Sequence, residues 1–185
     1  MPLTIPNLLT LLRLFAAPAV ALVFVVVPRP AADAVAVTLF LSASLTDFLD
    51  GWIARRWNQQ SEFGRMLDPI ADKAMVTIAL AVLMMLTGLD PWLLVPASAI
   101  FLRETAVSGL REHLAGRVSI PVTKLAKWKT TVQMVAIGAL FLQPWGEWAR
   151  VSGLALIWVA AALTVITGWD YFRRGLASSA MKEGS

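Results

Sequence analysis

Four aspartates constrain the fold of this chain more than any other feature: Asp47, Asp50, Asp68 and Asp72. They stand in the string D-x2-D-G-x2-A-R-x8-G-x3-D-x3-D, which runs from Asp47 through Gly51, Ala54, Arg55 and Gly64 to Asp72. The first pair lies near the end of one apolar run, and the second pair opens the next. The chain around them has 185 residues, 58% of them hydrophobic, with a mean hydropathy of +0.69. That is too apolar for an ordinary soluble domain of this length and points to an integral membrane protein. A carboxylate at membrane depth costs roughly 2.5–3.5 kcal/mol on insertion scales. Four of them must turn away from lipid and find a counter-charge.

The spacing shows how they could do so. Residues three or four apart share a helix face, so Asp47 pairs with Asp50 and Asp68 with Asp72. Two helices facing each other would bring all four carboxylates to one pocket. Two divalent cations would balance four negative charges, and hard oxygen ligands suit magnesium, manganese or calcium. The competing reading makes each aspartate a polar helix end at the water interface. That reading accounts for one aspartate more easily than for the whole string.

A spanning helix needs about 20 mostly apolar residues. Six segments approach this, at about residues 8–27, 34–53, 67–89, 91–110, 127–142 and 151–169. The fifth is short in apolar length, which places its first turns in the interface or in a polar cavity. The links at residues 28–33, 88–91 and 143–150 are short and carry proline or glycine, as turns between antiparallel neighbours do. The last residues, 178–185, are polar and are expected to fray. The N-terminus lacks a basic stretch followed by a small-residue cleavage site and reads as mature sequence. The expected architecture is all-α: one polytopic membrane domain over residues 1–185, six transmembrane helices around a cytoplasm-facing polar cavity.

Charge placement orients it. Two of the short links carry only Arg29 and Arg150, while the remaining lysines and arginines lie on or towards the opposite side. The positive-inside rule puts that second side, both termini and the aspartates in the cytoplasm of a bacterial-type inner membrane. Trp52, Trp57, Trp92, Trp128, Trp145, Trp148 and Trp169 fall near segment ends, as an interfacial aromatic belt does. The basic excess accordingly speaks for membrane topology and anionic ligands rather than nucleic acid. The chain has no cysteine, and its lone histidine, His113, cannot build a histidine zinc centre by itself.

The aspartate string is the signature of the CDP-alcohol phosphotransferases, and the chain resembles that family over essentially its whole length. The resemblance implies two metal ions, magnesium foremost and manganese as the alternative, held by Asp47, Asp50, Asp68 and Asp72. It implies a CDP-linked lipid bound near Gly51, Ala54, Arg55 and Gly64. An alcohol would attack the β-phosphate and CMP would leave, with Asp72 as the base that takes the alcohol proton. The residues alone do not rank Asp72 above Asp68. Gly51 and Ala54 also suit close helix packing, and Arg55 also suits lipid headgroups.

The acceptor is read from cations inside apolar runs. The fourth segment ends in R-E-x6-R-E, with Arg103, Glu104, Arg111 and Glu112, and Lys127, Lys129 and Thr130 open the fifth. These residues either pair with Glu104 or Glu112, or form a pocket for a phosphate on the acceptor. Their number favours the phosphate pocket, to which Arg103, Arg111, Lys127 and Asn7 are assigned. The run from Ile5 to Arg13 (I-P-N-L-L-T-L-L-R), the R-E-x6-R-E string and the run from Lys127 to Met134 are similar to those of phosphatidylglycerophosphate synthases and their cardiolipin-synthase relatives. Here Ala126 stands where glycine often precedes the lysine run. That resemblance implies CDP-diacylglycerol and glycerol 3-phosphate as substrates, and a homodimer. Asn7, Thr10 and Arg13 either reach the active site from the first helix or serve as helix caps and a headgroup contact. A divalent-cation transporter would also use buried aspartates, but it leaves the Gly51, Ala54, Arg55 and Gly64 pattern without a role.

Overall fold

A computed structural model describes residues 4–57, 61–113 and 124–183. Among them the chain is helical: α1 (Ile5–Val26), α2 (Ala31–Arg56), α3 (Glu62–Thr87), α4 (Pro91–His113), α5 (Lys124–Phe141), a single 3-10 turn (Gln143–Trp145) and α6 (Glu147–Glu183). No strand occurs among the described residues. Each apolar segment lies largely within a helix, but the helices run longer. Ser61 caps α3, its Oγ accepting from the Gly64 amide at 2.9 Å, so the helix begins well before the apolar run does. Residues 178–183, expected to fray, instead continue α6. Alanine, methionine, lysine and glutamate there are good helix formers, and no proline stops them.

Among the described residues, four helices are long and apolar enough to cross a membrane: Ile5–Val26, Glu62–Thr87, Pro91–Glu112 and Glu147–Arg174. Their surfaces are inverted relative to a soluble protein. In α1 the buried row is Pro6, Asn7, Thr10, Arg13, Ala17 and Val20, spaced three or four apart as one helix face requires. Phe15 and Val25, off that row, are 70% and 80% exposed. Polar side chains inside and aromatic or branched ones outside is the pattern lipid demands.

The turns are closed by local chemistry. Arg29 holds Asp33 through two parallel bonds, Nε to Oδ2 at 2.8 Å and Nη2 to Oδ1 at 2.9 Å, across the α1–α2 link. Asp33 is fully buried there, and the two-pronged geometry suits a guanidinium rather than an ammonium. Gly88 ends α3 at φ +69, a backbone region glycine enters without strain. Asp90 then starts α4, its Oδ1 accepting from the Trp92 amide at 3.0 Å.

The chain forms two compact units. Unit 1 comprises Met1–Leu89 with Ile137–Gly153, and unit 2 comprises Asp90–Ala136 with Leu154–Ser185. In unit 1, α1 packs closely along both α2 and α3, which touch each other little among the described residues. Phe141, fully buried, has Phe24 and Phe40 beside it at ring separations of 6.2 and 6.3 Å. In unit 2, Leu93, Ala97 and Ile100 of α4 and Ile157 and Ala160 of α6 are buried. The indole of Trp158 donates to the Trp92 carbonyl at 2.9 Å, its ring edge-on to Trp92.

Gly153 marks where α6 comes nearest α5 within unit 1. A Cβ there would lie 2.8 Å from Leu140 Cγ and 3.1 Å from the Leu140 backbone nitrogen. A glycine is required for that approach. Gly153→Val is expected to lower stability by about 1–3 kcal/mol through overpacking, read as a fall in Tm of the detergent-solubilised protein. An unchanged Tm would mean that the two helices separate at no cost.

Candidate active site

The aspartates meet on α1. Asp68 and Asp72, one turn apart in α3, both reach Arg13, and so does Asp47 from α2. Arg13 Nη1 lies 2.5 Å from Asp47 Oδ1 and 2.5 Å from Asp72 Oδ1. Its Nη2 lies 3.5 Å from Asp68 Oδ1. The guanidinium is only 3% exposed, whereas the three carboxylates are 43–45% exposed. The cluster is therefore sealed by a cation on its inner side and open on its outer side. One guanidinium thus stands against three carboxylates.

A further contact orients Asp68. Thr10 Oγ1 lies 2.7 Å from Asp68 Oδ1 and 3.0 Å from the Pro6 carbonyl, two acceptors for one hydroxyl proton. Next to it, Ser61 Oγ donates to Asn7 Oδ1 at 2.7 Å. Gly64 lies directly beneath: a Cβ there would come within 2.7 Å of Asn7 Oδ1 and 3.2 Å of Ser61 Oγ. Bare backbone at Gly64 thus lets the start of α1 dock on the start of α3. Pro69 falls between Asp68 and Asp72 inside α3. It lacks the amide that would bond the Arg65 carbonyl.

Asp50, Gly51, Ala54 and Arg55 lie on the last turns of α2. Their side-chain environments fall outside the described residues, as does that of Lys127 in α5. Asn7, grouped by sequence with the acceptor cations, lies in unit 1 beside Ser61. Arg103 and Arg111 lie in unit 2.

In unit 2 a part-buried ion network centres on Glu104 of α4. Arg103 Nη1 donates to Glu104 Oε1 at 3.0 Å, and Lys129 Nζ of α5 donates to the same oxygen. Arg103 Nη2 reaches Thr167 Oγ1 of α6 at 3.3 Å. The Arg103 stem runs across Gly168, where a Cβ would meet its Cγ at 2.8 Å. Lys129 is 6% exposed. Arg111 is exposed and stands 5.7 Å from the Tyr171 ring centroid, within cation–π range. Sequence reasoning assigned Lys127 to the acceptor and left Lys129 beside it. The signal for Lys129 was its register: it shares the buried row of α5 with Gln133, Ala136 and Leu140.

The oxygen donors of the aspartate cluster suit a hard divalent cation, and their outer side is accessible to one. Among the described residues no three acidic side chains already form a closed ligand set, and Arg13 stands between the carboxylates. The residues fit divalent cations in chemistry and charge, with Arg13 as the group that must yield.

An all-helical chain with apolar outward faces and an inward carboxylate cluster defines a class, integral membrane proteins with a charged interior site. Residues 3–166 match the family model for CDP-alcohol phosphatidyltransferase. The chain belongs to that family. It is 50% identical over 211 aligned positions to the CDP-diacylglycerol–glycerol-3-phosphate 3-phosphatidyltransferase of Cereibacter sphaeroides, covering 94% of this chain and 96% of the relative. The proteins of the same name from Rickettsia bellii and Salmonella typhimurium are 43% and 42% identical, over 91% and 92% of this chain and 93% and 94% of the relatives.

The Glu104 network gives a direct test. Glu104→Gln leaves the part-buried Arg103 and the buried Lys129 as adjacent cations sharing a neutral amide. Breaking one partner out of a buried ion pair costs about 3–5 kcal/mol, and thermal unfolding should show a loss approaching that size. Adding Lys129→Met should recover part of it. A double variant no more stable than Glu104→Gln would show that the two cations do not repel each other there.

Proposed function

We propose that the protein transfers the phosphatidyl group of CDP-diacylglycerol to sn-glycerol 3-phosphate, giving phosphatidylglycerophosphate and CMP. The observation that carries this reading is near full-length similarity, up to 50% identity, to relatives named for that reaction. The convergence of Asp47, Asp68 and Asp72 on one point gives the chemistry a place.

Asp47, Asp50, Asp68 and Asp72 would hold two divalent cations, magnesium foremost, which polarise the diphosphate and stabilise the leaving oxygen. The carboxylate of Asp72 takes the proton from the acceptor hydroxyl as that oxygen attacks the β-phosphate. The bond from that phosphorus to the bridging oxygen breaks, and CMP carries the charge away. Thr10 keeps the Asp68 carboxylate in one orientation through its hydroxyl. Gly51, Ala54, Arg55 and Gly64 bind the CDP portion, with the Arg55 guanidinium matched to phosphate. Arg103, Arg111 and Lys127 of unit 2 bind the acceptor phosphate. Within unit 2, Glu104 fixes where the Arg103 charge points.

All six helices span the inner membrane in this reading, around a polar cavity open to the cytoplasm, with both termini on that side and two copies forming a homodimer. The lysine and arginine asymmetry of the links supports the orientation. A nucleotide-linked substrate is met on the same side.

The deciding assay is CMP release by purified protein in detergent, with CDP-diacylglycerol, magnesium and one acceptor at a time. Glycerol 3-phosphate should support release and a chelator should stop it. Release only with phosphatidylglycerol, inositol phosphate or serine would keep the family and overturn the acceptor. Asp47→Asn and Asp68→Asn should each lower kcat by more than about 100-fold, the scale of losing one transition-state charge contact, with folding retained. Lys127→Ala should raise the KM for glycerol 3-phosphate with kcat little changed, as loss of uniform binding does. An unaltered KM would remove Lys127 from the acceptor site.

A further inference from the structure

Arg13 takes no part in the transfer step, yet it is buried more deeply than the carboxylates it holds. We propose that Arg13 is the resident counter-ion of the aspartate cluster and competes with the divalent cation for Asp47 and Asp72. The inference rests on the metal-binding reading of the aspartates given above.

The geometry carries it. A single nitrogen, Nη1, lies 2.5 Å from one oxygen of Asp47 and 2.5 Å from one oxygen of Asp72. It sits where carboxylates from α2 and α3 converge. A magnesium ion draws its oxygen ligands to about 2.0–2.1 Å. A nitrogen and a metal ion cannot both hold those two oxygens at such distances, and their like charges repel. Metal entry between Asp47 and Asp72 therefore moves the guanidinium off at least one of them. Arg13 lies on the buried row of α1, whereas Leu12 and Phe15 carry its exposed apolar face. It stays in the polar interior, so its charge keeps opposing the bound metal.

The fold shows what the contact does without metal. Among the described residues, α2 and α3 are joined chiefly through α1. Without a cation between them, Asp47 and Asp72 would repel each other across that boundary. Arg13 keeps the two pairs in register and sets how tightly metal binds. It is a positioning residue, acting through the aspartates.

The test is Mn2+ binding by the full chain in detergent, read from the electron paramagnetic resonance signal of free Mn2+. Arg13→Gln removes the competing charge and should bind Mn2+ about tenfold more tightly or better, since a charge within several ångströms is worth one to three decades. Its Tm without metal should fall below that of the wild type, and saturating Mn2+ should close the gap. Arg13→Lys keeps the charge but loses the two-armed reach, and it serves as the second variant should Arg13→Gln fail to fold. Its affinity should fall between the other two. Affinity equal to or weaker than wild type in folded Arg13→Gln, or in Arg13→Lys where only that variant folds, overturns the competition and leaves the metal reading standing. Absence of Mn2+ binding from the wild type and every variant removes the metal reading, and the competition with it.

Discussion

Everything in unit 1 depends on bringing carboxylates from two helices to one cation on a third. Lipid offers no solvation to an aspartate, so Asp47, Asp68 and Asp72 must find their partner inside the protein. That requirement sets the rotation of α1, which turns Asn7, Thr10 and Arg13 inward and Phe15 outward. It sets the packing as well, with α1 between α2 and α3. Close backbone approach at Gly64 lets Asn7 and Ser61 join the starts of α1 and α3, so the helix that carries the cation has a fixed height. The apolar contacts of Phe24, Phe40 and Phe141 then close the other part of the unit.

Unit 2 solves the same problem with the signs reversed. There, two cations from α4 and α5 share one carboxylate, Glu104. Thr167 takes a further Arg103 donor, and Gly168 makes room for its stem. Buried ion networks of this kind seldom add net stability over an apolar core. What this one supplies is a fixed position for the charges of Arg103 and Lys129, which an apolar core cannot give.

Much of this was legible in the sequence. The four-residue interval between Asp68 and Asp72 places both on one face of α3, because helical periodicity is local. The apolar segments located the helices for the same reason. Helix ends were harder. Ser61 is a capping residue ahead of a polar turn, so α3 starts where the hydropathy does not. The tail of α6 stays helical on residues that read as polar and loose. Contacts across long separations were the least legible. Arg13 stood open between the site and a headgroup, and only the docking of α1 on α3 decides it. Gly64 reads as space for a nucleotide, and its place beneath Asn7, 57 positions earlier in the chain, is visible only in the structure. Lys129 and Lys127 look alike in sequence, and only the structure shows Lys129 on the buried row of α5.

The arginine that joins three carboxylates also precedes all of them in the order of synthesis. A chain made from its N-terminus delivers α1 first. Arg13 alone in an apolar helix is a burden on insertion, of roughly the size each aspartate would carry. Once it is there, α2 and α3 arrive beside a waiting cation rather than beside bare hydrocarbon. The order of the helices along the chain thus turns several separate insertion penalties into one early penalty that each later helix helps to cancel.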